Sequence, residues 1–185
     1  MMRVQKNIPK PTNGGNNRGF SVIELLVAIG IIALLSTIGV ISMLRAREIA
    51  RINKASADIA NIATAIQLLG EDVGKWPSGC PIESGADVEL NILTAQAALV
   101  SRPTVGDFGN GCFWSASDIA KWNGPYLGQV TDPWGHNYYF DSDYRPYLNC
   151  ASEDTLNGHA YVVSFGPNGV GVNAYDCDDI FKALP

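Results

Sequence analysis

The sequence predicts an α+β fold: one long N-terminal α-helix, apolar in its first half and amphipathic in its second, packed against a small antiparallel β-sheet head. Three observations carry this. An apolar run fills residues 20–44 with Glu24 as its only acidic or basic side chain, no proline interrupts Phe20 to Leu69, and strand-like runs come only after that stretch. Segregated helix and strand of this kind pack as an α+β domain.

Phe20 to Leu44 is 25 residues, roughly 37 Å of helix at 1.5 Å per residue. That covers a hydrocarbon core of about 30 Å. A secretory signal has a basic start, met here by Arg3, Lys6, Lys10 and Arg18, but its apolar part runs only about 7–15 residues. Hydropathy alone also admits a plain single-pass anchor. Neither reading explains Glu24, whose carboxylate costs on the order of 2.5–3.5 kcal/mol at mid-membrane and so calls for a partner.

From Arg45 the chain turns amphipathic with no turn signal between. Ile52, Ile59, Ile62, Ile66 and Leu69 are spaced 7, 3, 4 and 3, the stripe of a helix burying one side. Gly70, Gly74 and Trp76-Pro77 mark its end. The expected helix of 50 residues, Phe20 to Leu69, is about 75 Å long. Gly30 and Gly39 weaken it in isolation and permit close packing against other helices.

The head, 71–185, opens with loop chemistry at Gly74–Pro81. The spacing of Leu90, Leu93, Ala97 and Val100 predicts a short helix over Leu90–Val100, and Asn137–Phe140 and His159–Phe165 read as strands. The Trp and Tyr residues read as core, since each brings a large buried area to a small domain. Cys80, Cys112, Cys150 and Cys177 are separated by 32, 38 and 27 residues, without a CxxC pair, which argues against the usual zinc and thioredoxin spacings. Two disulfides are expected in an oxidising compartment. Of three possible connectivities, the pairing of sequence neighbours, Cys80–Cys112 and Cys150–Cys177, is the expectation.

The net charge of −5 disfavours nucleic-acid binding, which needs a basic face. Arg45, Arg47, Arg51 and Lys54 are more simply the polar side of the long helix. No glycine-rich phosphate loop or HExxH motif is present, and Ser164 lacks the first glycine of a G-x-S-x-G elbow. No enzyme is expected.

The segment GFSVIELLVAIGIIALLSTIGV, Gly19 to Val40, resembles the class III signal of type IV pilins and of type II secretion pseudopilins. The resemblance implies cleavage after Gly19 by a prepilin peptidase, N-methylation of Phe20, and retention of the helix, with residues 1–19 as leader, 20–44 as membrane and filament-core half, and 45–70 as amphipathic half. Removing the leader takes four of thirteen basic residues, leaving nine against eighteen acidic ones, a net −9. The leader is long for the family, and Ile41 stands where many members carry a kinking proline. Glu24 is implied to pair with the terminal ammonium of an adjacent subunit, the alternatives being a partner in its own chain or the lipid headgroups.

Lys121–Leu127 (KWNGPYL) and Asp132–Tyr138 (DPWGHNY) resemble the W-x-GPYL and DPWGxPY signatures of major pseudopilins, and Thr94–Pro103 is similar to the segment that precedes them there. That implies a subunit of a type II secretion pseudopilus, held in the inner membrane with its head in the periplasm until it polymerises. Its partners would be copies of itself, the prepilin peptidase, an inner-membrane assembly platform and minor pseudopilins. A type IV pilin of a surface fibre is the alternative. Major pseudopilins also bind calcium in a loop similar to Ser164–Gly169 with Asp176–Ile180. Carried over by position, the Phe165 and Val170 carbonyls, the Asn168 side chain and the Asp178 and Asp179 carboxylates are implied ligands, with Asp176 a further candidate. Asn168 stands where the family has a charged ligand, and the intervening loop is longer.

Overall fold

The computed structural model describes residues 19–82, 86–146 and 159–185. Along the chain run helix α1 (Val22–Val73), strands β1 (Lys75–Trp76), β2 (Cys80–Pro81), β3 (Glu89–Asn91), β4 (Gly106–Asp107) and β5 (Phe113–Trp114), helix α2 (Ala116–Lys121), and strands β6 (Tyr139–Asp141), β7 (Tyr161–Ser164) and β8 (Ile180–Ala183). The chain divides into two compact units, 1–45 and Ala46–Pro185. Together they give the expected α+β arrangement.

In the first unit α1 is apolar on every side, and its large side chains stand exposed, Leu34 at 70% and Leu35 at 65%. A helix without a polar face belongs in lipid or among other helices. Among the described residues α1 is the one helix long and apolar enough to cross a membrane. Two of its hydroxyl side chains hide their polarity: Ser36 donates to the Ile32 carbonyl and Thr37 to the Leu34 carbonyl.

In the second unit α1 buries Ile59, Ile62, Ile66 and Leu69 completely or nearly so, with Ala55, Ala63 and Ala65 filling between them. Ile52 lies outside this stripe at 41% exposure, so the buried side begins at Ala55, later than the spacing suggested. The helix also continues through Gly70 to Val73. Val73 is itself buried in the core, and that burial outweighs the weak propensity of Gly70. The helix stops at Gly74, whose φ of +78° suits glycine and whose N–H donates to the Gly70 carbonyl.

The main sheet has the order β3-β6-β7-β8, antiparallel throughout. Alternation sends Leu90, Phe140 and Val162 to one face, where they share a core with Ile59, Ile62, Ile66 and Leu69. Tyr161, Val163 and, beside them, Tyr139 and Phe181 point to the other face, into a second cluster with Tyr144, Phe165 and Tyr175. Both faces are therefore covered, which is why all four residues of β7 are buried.

Leu90–Val100 is not the expected helix. Glu89–Asn91 pairs with β6, and a single 3-10 turn, Ala95–Ala97, follows. Asn91 diverts the chain: its side chain accepts from the Leu93 N–H and its carbonyl from the Thr94 N–H, and Ala98 then takes a left-handed φ of 61°. Local hydrogen bonds and strand pairing thus override a helical spacing. The helix that does form, α2, went unforeseen, although Ser115 and Asp118 make the capping box that announces it.

The hairpin β1–β2 is joined to this region by the disulfide Cys80–Cys112. Lys75 adds three contacts: Asp118 at 2.9 Å, the Phe113 carbonyl at 2.7 Å and the Phe113 ring at 3.5 Å. Burial pushes the Asp118 carboxyl up, but the hydrogen bonds from Lys75 and Ser115 outweigh it and hold it below its ordinary range. Cys177 is disulfide-bonded; its expected partner Cys150 lies outside the described residues.

If the Ile59–Leu69 stripe carries the second unit, Ile62→Ala should lower unfolding stability by about 2–5 kcal/mol. Ile52→Ala should change it by no more than about 0.5 kcal/mol. Thermal melts of the full chain in detergent compare the two.

Candidate functional site

At the N-terminal end the Gly19–Phe20 peptide bond is open: Phe20 is 91% exposed, and a Cβ added at Gly19 would meet nothing within 4 Å. Ser21 and Glu24 then cap α1. The Glu24 carboxylate accepts from the Ser21 backbone N–H at 2.9 Å, and the Ser21 hydroxyl accepts from the Ile23 N–H at 3.3 Å. This is close to a capping box, with an acid in the first turn where the helix dipole favours it. Glu24 thus finds a partner within its own chain in the unprocessed protein, and the S-V-I-E spacing is the signal for it.

The two aromatic signature segments serve as clamps. The Trp122 indole donates to the Ala98 carbonyl at 2.7 Å, and the Tyr126 and Leu127 N–H groups both donate to the Leu99 carbonyl. The Tyr126 hydroxyl reaches Asp72 on α1 at 2.7 Å, and burial with the Asp72 charge pushes its phenol up to about 12. In the second segment, buried Asp132 is the hub. One of its oxygens accepts from the Trp134 and His136 N–H groups and the other from the Ser164 hydroxyl at 2.7 Å. His136 Nδ1 lies 3.1 Å from the Gly166 carbonyl. Ser164 is fully buried and gives its proton to a carboxylate, so the Ser-Asp-His grouping is a strut and no nucleophile.

Beyond this strut lies the acidic loop. Gly166, at φ +57°, brings the chain so close to the Asp178 carbonyl that a Cβ would collide with it. The Asn168 amide nitrogen donates to Asp176 at 2.8 Å and to Asp178 at 2.7 Å, while its oxygen accepts from the Val170 N–H at 2.6 Å. The Asp179 Oδ2 accepts from the Tyr144 hydroxyl and the Asp176 N–H. Its Oδ1 is buried without a partner. Burial pushes Asp179 up to about 6, against the pull of the Tyr144 hydroxyl. Burial also raises Asp178, helped by Asp176, whereas hydrogen bonds to Asp178 and Asn168 lower Asp176 despite its burial.

The loop therefore links Asn168 to Asp176 and Asp178, and Asp176 to Asp179, with the Val170 N–H on the Asn168 oxygen, while the Phe165 carbonyl accepts from the Gly169 N–H. The donor chemistry suits a hard cation: three carboxylates, one with an orphaned buried oxygen. The cage is not closed, because no three acidic, histidine or cysteine side chains among the described residues converge on one point. Asn168 presents its amide nitrogen where a ligand oxygen would be needed.

Residues 14–40 match the prokaryotic N-terminal methylation motif. The match includes Gly19, Phe20 and Glu24, and it supports placement in the type IV pilin-like superfamily, whose members are structural subunits. It implies processing by a prepilin peptidase and assembly into a filament. The apolar half of α1 supports membrane anchoring before assembly. No curated protein and no solved structure matches the chain. Sequence reasoning missed Asp132, whose role needs Ser164 brought beside it, and the acidic pair Glu89 and Asp141, which only strand register makes neighbours.

Asp132→Ala should lower stability by about 3 kcal/mol, because it strands buried donors that now share a charged acceptor. Ser164→Ala, which removes one of them, should lose only about 1 kcal/mol. Denaturant titration of both variants tests this order.

Proposed function

We propose that this protein is a structural subunit of a type II secretion pseudopilus, polymerising through its N-terminal helix to drive protein export. The single observation that supports this finer reading is the pair of signature segments. Trp122–Leu127 ties the 98–99 turn to α1, and Asp132–Tyr138 ties the sheet to the 164–169 loop. Both signatures thus have structural work in this chain.

Cleavage after Gly19 would leave an α-ammonium on Phe20, with an ordinary pKa of about 7.7–8.0. It lies four residues before Glu24, just ahead of the Ser21 cap of α1. In a filament core the Glu24 carboxylate would exchange its bond to the Ser21 N–H for the ammonium of a neighbouring subunit, since an unpaired buried charge is much the costlier state. The mature head stays in the periplasm, and work comes from adding subunits on an inner-membrane platform.

The acidic loop is proposed to hold calcium. Asp178 and Asp179, the Phe165 and Val170 carbonyls and a turned Asn168 amide would be its ligands, with Asp176 in reserve. The ion would supply the positive charge that the raised Asp178 and Asp179 carboxyls lack.

Glu24→Ala should leave the protein in the membrane and reduce filament yield at least about tenfold, the loss expected from a coupling of roughly 1.4 kcal/mol or more. Deleting the gene should stop export of secreted proteins while surface fibres, counted by electron microscopy, persist. Loss of fibres with intact export would instead identify a surface pilin. Calcium at about 100 times its dissociation constant should add about 2.7 kcal/mol, read as a raised melting temperature that Asp179→Ala removes.

A further inference from the structure

Glu89 on β3 and Asp141 on β6 stand directly opposite each other in the antiparallel ladder. By alternation with Leu90 and Phe140 they point away from the core shared with α1, toward the face covered by Tyr144, Tyr161 and Tyr175. Residues opposed in this way have Cβ atoms about 4.5–5.5 Å apart, and like charges there repel. Neither carboxyl escapes to water. Asp141 is 2% exposed, and both Glu89 oxygens are buried without a hydrogen-bond partner.

Their surroundings do not supply a counter-charge. The Asp143 N–H donates to Asp141 at 3.0 Å, and the side chains of Asp87 and Asp143 add negative charge. From the covering loop, the N–H groups of Val172 and Asn173 face Glu89 without reaching hydrogen-bond geometry. Those two residues have φ of 57° and 61°, a left-handed pair that is unfavourable for a β-branched valine. Tyr175 packs on the same face and feels Asp141, Asp143 and Glu89, with Arg145 acting on it in the opposite sense. Tyr144 feels Asp141 together with Asp179 and Asp176.

Two ionised carboxylates opposed in this enclosure would repel each other. We propose that Asp141, opposed by the carboxyls of Glu89 and Asp143, holds a proton and acts as a pH-dependent latch fastening edge strand β3 and the 172–175 loop to the sheet. Burial, the charges of Glu89 and Asp143 and a hydrogen bond with the Asp143 side chain push Asp141 up to about 7 against the pull of the Asp143 N–H, and burial raises Glu89 as well.

The sign follows. A carboxyl raised in the folded state binds its proton more tightly there than in the unfolded chain. Its contribution is whole below its ordinary value of 3.8 and is lost as pH rises through about 7. Asp118, which is lowered, contributes in the opposite direction at the acid end.

The test uses the full processed chain in detergent, melted from about pH 5 to about pH 8 in chelator; Asp179 in the acidic loop is raised to about 6 and titrates in the same window, so the comparison is between the wild type and variants that leave that loop intact. The wild-type melting temperature should fall by roughly 5 °C over that range, and Asp141→Asn, which fixes the neutral form, should remove at least about half of the fall. Glu89→Gln should do the same and serves if the first variant does not fold. Infrared spectra of the wild type should carry the carbonyl band of neutral carboxylic acid at the acid end, lost at the alkaline end and weaker in Asp141→Asn, where the raised Asp179 still contributes. A slope unchanged in both variants, or a band as strong in Asp141→Asn as in the wild type, overturns the latch. So does a slope that added calcium abolishes in the wild type together with weaker calcium binding by Asp141→Asn, which would make the pair a cation site.

Discussion

The seam between the Ile59–Leu69 stripe of α1 and the Leu90, Phe140 and Val162 face of the sheet is the contact on which the second unit depends. The strands of the main sheet are only three or four residues long, too short to hold together without a hydrophobic backing. The helix supplies that backing, and polar ties fix its position. Tyr138 donates to Asp58 and Tyr126 to Asp72, about four turns apart along the same helix. Burial followed by the Asp58 charge raises the Tyr138 phenol strongly, so both phenols stay protonated as donors.

The signature segments are best understood as extensions of that seam. Trp122 and Tyr126 meet edge to face, with ring centres 5.8 Å apart, and pin the 98–99 turn against the core. Asp132 gathers donors from its own turn and from Ser164 at the end of β7. The loop that begins at Phe165 is positioned by this strut, so the carboxylates at 176–179 inherit their placement from the sheet.

Buried acids in this head follow two regimes. Asp132 and Asp118 accept several hydrogen bonds, and the Lys75 ammonium neutralises Asp118. Asp141 and Asp179 are buried with fewer compensating donors, and their carboxyls are raised. The first kind makes the fold rigid. The second leaves charge that a proton or a cation can satisfy, and it lies on the sheet face away from α1, where the aromatic second cluster excludes water.

Much of this was legible in residue order. The apolar run from Phe20, the absence of proline to Leu69 and the 3-4 spacing of isoleucines specify the long helix, because helical periodicity is a local property of the chain. The Gly19–Phe20–Glu24 pattern likewise marks the methylation motif without any tertiary information. Leu90–Val100 shows the limit: its spacing suits a helix, but strand pairing with β6 and the Asn91 turn decide otherwise. The extra turn to Val73, the burial of both sheet faces, and the meeting of Glu89 with Asp141 across 52 residues depend on register and on which surfaces cover one another. Those are properties of packed elements, set by contacts distant in sequence, and no local pattern encodes them.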